Sequence, residues 1–358
     1  MHKDDQMTPK ERAQALSEGK PVDRMPIGLM AFAPSPRLLN LTSDALFSNG
    51  RTFANCQKKL YETFGQDGVT AKYGLHSMGI AFGATALNPK DSARAIINHP
   101  IKDIRDLSIL DLDKLTPEKD KDVLRTYESA QYLLDELGNE VGCTFGATGP
   151  FTCACALMGA ERLMRAVAKY PEELHKLLRF TTDAMIQITK PFLLLGCSGI
   201  AISEPMGSGM LMSEKNFRKF VLPYMQEYVA ACKAVRPVGC TLHICGDTTK
   251  LLEAMADCNV DVISLDNLVD IAVARERIGN RVKLMGNVQP IGTLLFGKPA
   301  DVEAEVKSCF CKGWGSPKGF LISPGCDAPY ATPIENLHAY MDAARKCAKY
   351  PVNPDNFI

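Results

Sequence analysis

The chain has 358 residues, 41 Lys and Arg against 41 Asp and Glu, and thirteen cysteines. Its one dense charged run, "TPEKDKDVLR" at 116–125, mixes both signs, so the composition excludes the basic footprint of a nucleic-acid binder or an anionic-membrane binder. The polar start "MHKDDQMTPKER" and the shortness of apolar stretches such as "PFLLLGCSGIAI" predict a cytoplasmic enzyme without a membrane span. An odd number of cysteines without an export signal predicts reduced thiols rather than a disulfide framework.

Short apolar runs recur along the chain, most of them followed by a helical pattern. They are "RMPIGLMAF" from 25, "GVTAKY" from 68, "VGCTFGAT" from 141, "GIAISEP" from 199, "VGCTLHIC" from 238, "VDVISLD" from 260, "RVKLMGNV" from 281 and "GFLISPGC" from 319. Between the later runs lie amphipathic segments such as "SEKNFRKFVLPYMQEYVAACKAV" and "DVEAEVKSCFCKG", with apolar residues at helical spacing. Eight strands alternating with helices predict an α/β fold, a closed parallel (β/α)8 barrel of the TIM type. The expected organisation is one domain over residues 1–358, with an insertion or excursion around 74–138 that carries "DIRDLSILDLDKLTPEKDKD".

A parallel barrel gathers its chemistry at the carboxyl ends of its strands, because the loops leaving those ends surround one mouth. The fourth run ends in Glu204, the fifth in His243 and Cys245, the sixth in Asp266, the seventh in Asn287 and the eighth in Cys326. His243 and Cys245 are two apart on a predicted strand, so both side chains leave the same side of the pleat. Imidazole and two thiolates suit zinc, and three protein ligands leave a fourth position for an exchangeable group. An isolated H-x-C is more often a packed histidine beside a small buried residue. Here the pair precedes "GDTT" at a strand end, and a distant "SPGCD" supplies Cys326 at another. The remaining eleven cysteines, Cys56, Cys143, Cys153, Cys155, Cys197, Cys232, Cys240, Cys258, Cys309, Cys311 and Cys347, are expected to be small buried residues.

Asp266 and Glu204 are candidates to complete the zinc shell or to orient His243 from behind. Asp266 is the better candidate ligand, against the alternative that it caps the helix beginning at "NLVDIAVARERIG". Glu204 and Asn287 are also candidates for substrate contact, Asn287 alternatively for holding a loop.

The segments "GPFTCA", "LHICGDTT", "MGNVQPIGTLLFGKPADV" and "SPGCDAPYATPIENL" closely resemble the uroporphyrinogen decarboxylase superfamily, and within it the methylcobamide:coenzyme M methyltransferases. The likeness runs from "TPKERAQALSEGKPVDRMPIG" to the final helix. It implies a zinc-dependent methyltransferase in which His243, Cys245 and Cys326 hold the metal. A small thiol such as coenzyme M would be activated as thiolate and accept methyl from a corrinoid. In reverse, the same site would pass methyl from a methoxylated or methylamine donor to cobalt. The decarboxylase itself fits less well: its arginine-rich early strand is replaced by "GLMAFAPSPRLL", which leaves only Arg37 for carboxylates. None of the six histidines has Asp two residues before it, so no Asp-x-His-x-x-Gly cobalamin ligand is present, and a separate corrinoid protein is the expected methyl carrier. Its cofactor would approach a rim formed by "TGPFTCA" at 148–154 and "EPMGSGMLM" at 204–212.

Overall fold

The computed structural model describes residues 2–357. Seven of the eight predicted runs form one parallel sheet. Its strands are β1 (Val69–Lys72), β4 (Cys143–Thr148), β5 (Gly199–Ser203), β6 (Gly239–Ile244), β7 (Val262–Leu265), β8 (Lys283–Val288) and β9 (Phe320–Pro324), in that spatial order. Between β1 and β4 lie a small antiparallel hairpin of β2 (Thr85–Leu87) and β3 (Ala95–Asn98) and the helix Lys121–Leu137. Asp120 starts that helix by accepting from the backbone N–H of Asp122 at 2.8 Å.

The first run does not become an eighth strand, and the eight-stranded count is corrected here to seven. Residues 25–33 lie beside β9 with a single parallel bridge, Ile27 to Ile322. Gly28 donates to the Ile322 carbonyl at 2.9 Å, and Asp67 N donates to the Ile27 carbonyl at 3.0 Å. The ladder stops for two local reasons. Pro26 has no N–H to give, and the N–H of Ile27 is taken by the Asp67 carboxylate at 2.7 Å. Behind this junction sits a buried ionic cluster. Arg12 bonds Asp23 at 2.7 Å and also Asp67, while Arg24 bonds Asp5 at 2.8 Å and Asp67 at 2.5 Å. Charges this deeply buried are tolerated only when paired in this way.

The helices cover the outer face of the sheet by ordinary amphipathic logic. Pro171–Leu195 begins with a proline where the helix needs no N–H and buries Leu174, Leu177, Leu178, Met185, Ile188 and Phe192 at spacings of three, four and seven. Phe192 stacks on Phe145 of β4 with ring centroids 4.2 Å apart. No helix among the described residues is long and apolar enough to cross a membrane. All thirteen cysteines are free thiols. Of the eleven expected to be buried, nine are; Cys155 is half-buried and Cys311 is exposed.

Candidate metal centre

His243 is the penultimate residue of β6 and Cys245 follows the strand, while Cys326 lies two residues beyond β9. The sheet brings them together across 81 positions of sequence: Nε2 of His243 is 3.2 Å from Cys245 Sγ, which is 3.7 Å from Cys326 Sγ. The three ligand atoms all lie within 4.8 Å of one another. Among the described residues this is the one such group of three or more metal-binding side chains.

The imidazole is oriented from behind. The register of β6 and β7 puts His243 opposite Ser264, and Nδ1 sits 3.1 Å from the Ser264 hydroxyl and 3.3 Å from its carbonyl oxygen. A carbonyl only accepts, so this contact assigns the proton to Nδ1 and leaves the Nε2 lone pair facing the sulfurs. The two thiols form a coupled pair. Cys326 is pulled below the ordinary thiol range by the hydrogen bond from Cys245, against its burial. The same hydrogen bond, reinforced by burial, pushes Cys245 up. One thiolate is therefore easy to form here and a second is not, unless a cation replaces the shared proton.

Neither carboxylate expected to orient His243 does so; Ser264 takes that place. Asp266 is buried, and both of its oxygens are engaged. Oδ2 accepts from Gly246 N at 2.8 Å and Oδ1 from Leu268 N at 3.0 Å. It thus ties the turn after Cys245, where Gly246 has a φ of 84° that favours glycine, to the turn after β7. The cap of the helix Ile271–Ile278 is Asp270 and not Asp266.

Glu204 is fully buried, at 0 % exposure. It accepts from Phe151 N at 3.0 Å, from Thr152 N at 2.6 Å and from the Thr152 hydroxyl, so it closes the open amino end of the helix Pro150–Met158. A side chain at Gly149 would place its Cβ 2.2 Å from Glu204 Oε2, so glycine is needed there. Burial, opposed by those hydrogen bonds, raises the Glu204 carboxyl to about 7. Asn287 donates to the carbonyls of Asp266 and Val269 at 2.8 and 2.6 Å, the loop-holding alternative among its expected roles. Arg37 is spent on the carbonyls of Tyr330 and Thr332 at 3.0 and 2.6 Å.

Three further residues at the mouth escaped the sequence reading. Besides Ser264 these are Asp327 and Lys72. Asp327 accepts from Phe32 N at 2.8 Å; burial, opposed by Lys72, raises it to about 6. Lys72, the last residue of β1, was findable by the same strand-end rule that selected the others. Asp327 directly follows Cys326 in "GCDAP".

Fold and site together define a parallel α/β sheet with an imidazole and two thiols at the carboxyl ends of its strands. The uroporphyrinogen decarboxylase (URO-D) family model matches residues 8–347, and the chain belongs to that family. The methylcobamide:CoM methyltransferase MtaA of Methanosarcina barkeri is 28% identical over 343 residues, covering 94% of this chain and 98% of the relative. The methylcobamide:CoM methyltransferase MtbA of Methanosarcina acetivorans is 28% identical over 349 residues, with the same coverage. A solved methyltransferase from Methanosarcina mazei superposes with a TM-score of 0.81 at 25% identity, covering 95% of this chain and 98% of that one. The resemblance to the methyltransferase branch is thereby borne out.

Proposed function

We propose that the protein is a zinc-dependent methyltransferase that moves a methyl group between a corrinoid carried on a separate protein and a small thiol such as coenzyme M, in the cytoplasm. The observation that carries this reading is the convergence of His243 Nε2, Cys245 Sγ and Cys326 Sγ in a chain whose full-length relatives are named for that transfer. We read the seven strands and residues 25–33 as one closed (β/α)8 barrel in a single domain, with 74–138 as an excursion from it.

The donor set fits zinc. Two sulfurs and one imidazole nitrogen are the soft and borderline donors this ion takes, and a set of three leaves a position free. When bound, zinc would supply the Lewis acidity that keeps an incoming sulfur as thiolate near pH 7. The chain's own residues do the rest. Ser264 fixes the tautomer and angle of His243. Asp266 holds Gly246, and with it the direction of Cys245. Glu204 and Asn287 are assigned to the frame of the mouth, since their polar atoms are engaged with it, and not to substrate.

The test is a screen of thiols and methylated compounds with free cobalamin, following the cobalt absorbance. Thiol-dependent demethylation of methylcobalamin is the expected result. Methylation of cobalt(I) by a methylated donor, with no response to any thiol, would reverse the direction of transfer.

A further inference from the structure

The three metal-binding side chains do not share one kind of support. His243 belongs to β6 and Cys245 follows it directly, whereas Cys326 stands where the chain has left β9 and runs beside the irregular first run. Gly28 N donates to the Ile322 carbonyl at 2.9 Å, and Ala328 N donates to the Met30 carbonyl at 2.9 Å. Between those two contacts the β9 side advances from Ile322 to Ala328, while the opposite side advances only from Gly28 to Met30. The excess chain has to arch away from its neighbour, and Cys326 lies on that arch. Its near foot is fixed: Gly325 N donates to the Val288 carbonyl at 2.8 Å, and a Cβ on Gly325 would come 2.6 Å from Asn267 N.

Asp327 holds the far foot, and it does so with both its backbone and its side chain. Its backbone N–H donates to Cys326 Sγ. Its carboxylate accepts from Phe32 N at 2.8 Å and also from Ala33 N, beyond the point where main-chain pairing with Met30 ends. The peptide N–H that points at the sulfur is thus anchored through the side chain of the same residue. An arch without that anchor would let the sulfur swing, and donors that must meet on one ion tolerate little swing. Contacts that fix a ligand's direction are worth about 10-fold to 100-fold in metal affinity.

We propose that Asp327 is a positioning residue for Cys326: by tying the arch to residues 32–33 of the first run, it keeps Cys326 Sγ turned toward Cys245 and His243. The first run thereby acts on the centre, although it supplies none of the three donors and makes a single bridge to the sheet. The inference rests on the zinc reading for the ion. For the placement of Cys326, 3.7 Å from Cys245 Sγ, it rests on the hydrogen bonds alone.

The experiment uses the full chain with Asp327→Ala and Asp327→Asn. Asparagine keeps a side-chain oxygen for the N–H of Phe32; alanine does not. Zinc affinity is measured by chelator competition, and the thiolate-to-metal charge-transfer band on protein loaded with cobalt(II). On metal-free protein, the capture of phenylarsine oxide is measured; this probe bridges two neighbouring thiols with release of water. Circular dichroism confirms that each variant is folded. D327A is expected to weaken zinc binding by about 10-fold to 100-fold, to lower the charge-transfer band toward that of Cys326→Ala, and to weaken arsenical capture. D327N should keep most of all three signals. If D327A does not fold, Asp327→Ser, whose hydroxyl stops short of Phe32 N, takes its place with the same expectations. Unchanged zinc affinity and an unchanged band in the folded variant would overturn the proposal. So would a loss in D327N as large as that in D327A, which would make the charge facing Lys72 the operative feature rather than the anchor. Arsenical capture that depends on Asp327, in a wild type that takes up neither zinc nor cobalt, would leave the positioning role standing and remove the zinc reading.

Discussion

His243 and Ser264 face each other across β6 and β7, with Nδ1 of the imidazole 3.1 Å from the serine hydroxyl and 3.3 Å from the serine carbonyl. The contact comes from strand register, so it is rigid in a way that a loop partner would not be. Removing the hydroxyl leaves the carbonyl in place. Ser264→Ala should therefore weaken zinc binding by about 10-fold, the low end of the range for outer partners of a metal-binding histidine. Competition with a chromogenic chelator measures this.

Cys245→Ala and Cys326→Ala should each abolish stoichiometric zinc and methyl transfer together, because two remaining donors do not make a zinc site. The fold should persist, since the sheet and its helical cover rest on buried apolar side chains and not on the ion. Metal analysis checks the first expectation and far-ultraviolet circular dichroism the second. Full zinc occupancy in either variant would remove that cysteine from the site.

Asp266→Ala separates holding a turn from holding a metal. The variant leaves the N–H groups of Gly246 and Leu268 without their acceptor, so denaturant stability should fall by about 1–3 kcal/mol. Zinc affinity should fall by about 10-fold to 100-fold, far short of the loss in Cys245→Ala. Unchanged stability with zinc binding abolished would make Asp266 a ligand itself.

Glu204 predicts a pH dependence of stability. Burial, opposed by the Thr152 and Phe151 hydrogen bonds, lifts its carboxyl from the ordinary 4.5 to about 7. The folded chain thus holds this proton more tightly than the unfolded one. The resulting stabilisation is complete below pH 4.5 and is lost as pH rises through about 7. Its size is on the order of 1–3 kcal/mol. Urea unfolding of wild type and Glu204→Gln at several pH values between about 5 and about 8 isolates it. The wild-type curve should slope downward more steeply than that of the variant, and parallel curves would dissociate Glu204 from the effect.

What the sequence revealed and what it hid follow from the same geometry. Seven apolar runs became strands of four to six residues, with a proline only at the last position of β9. The run from 25 reads equally well by hydrophobicity, but Pro26 and the capture of the Ile27 N–H by Asp67 leave it one bridge. His243, Cys245 and Cys326 were legible because rare residue types stood at strand ends. Ser264 was not, because a serine in "VISLD" gives no signal until the register of β6 and β7 is known. Glu204 was placed correctly at a strand end and given the wrong partner: the helix that claims its carboxylate begins at Pro150, more than fifty positions earlier.

The most direct test of the central claim, that these three side chains form the place where the thiol is taken up, is the zinc-edge X-ray absorption of the zinc-loaded protein with and without 2-mercaptoethanesulfonate. The account predicts two sulfur neighbours and one imidazole nitrogen in the resting protein, and a third sulfur when the thiol is added. A zinc shell whose sulfur count does not change on saturation with the thiol would contradict it.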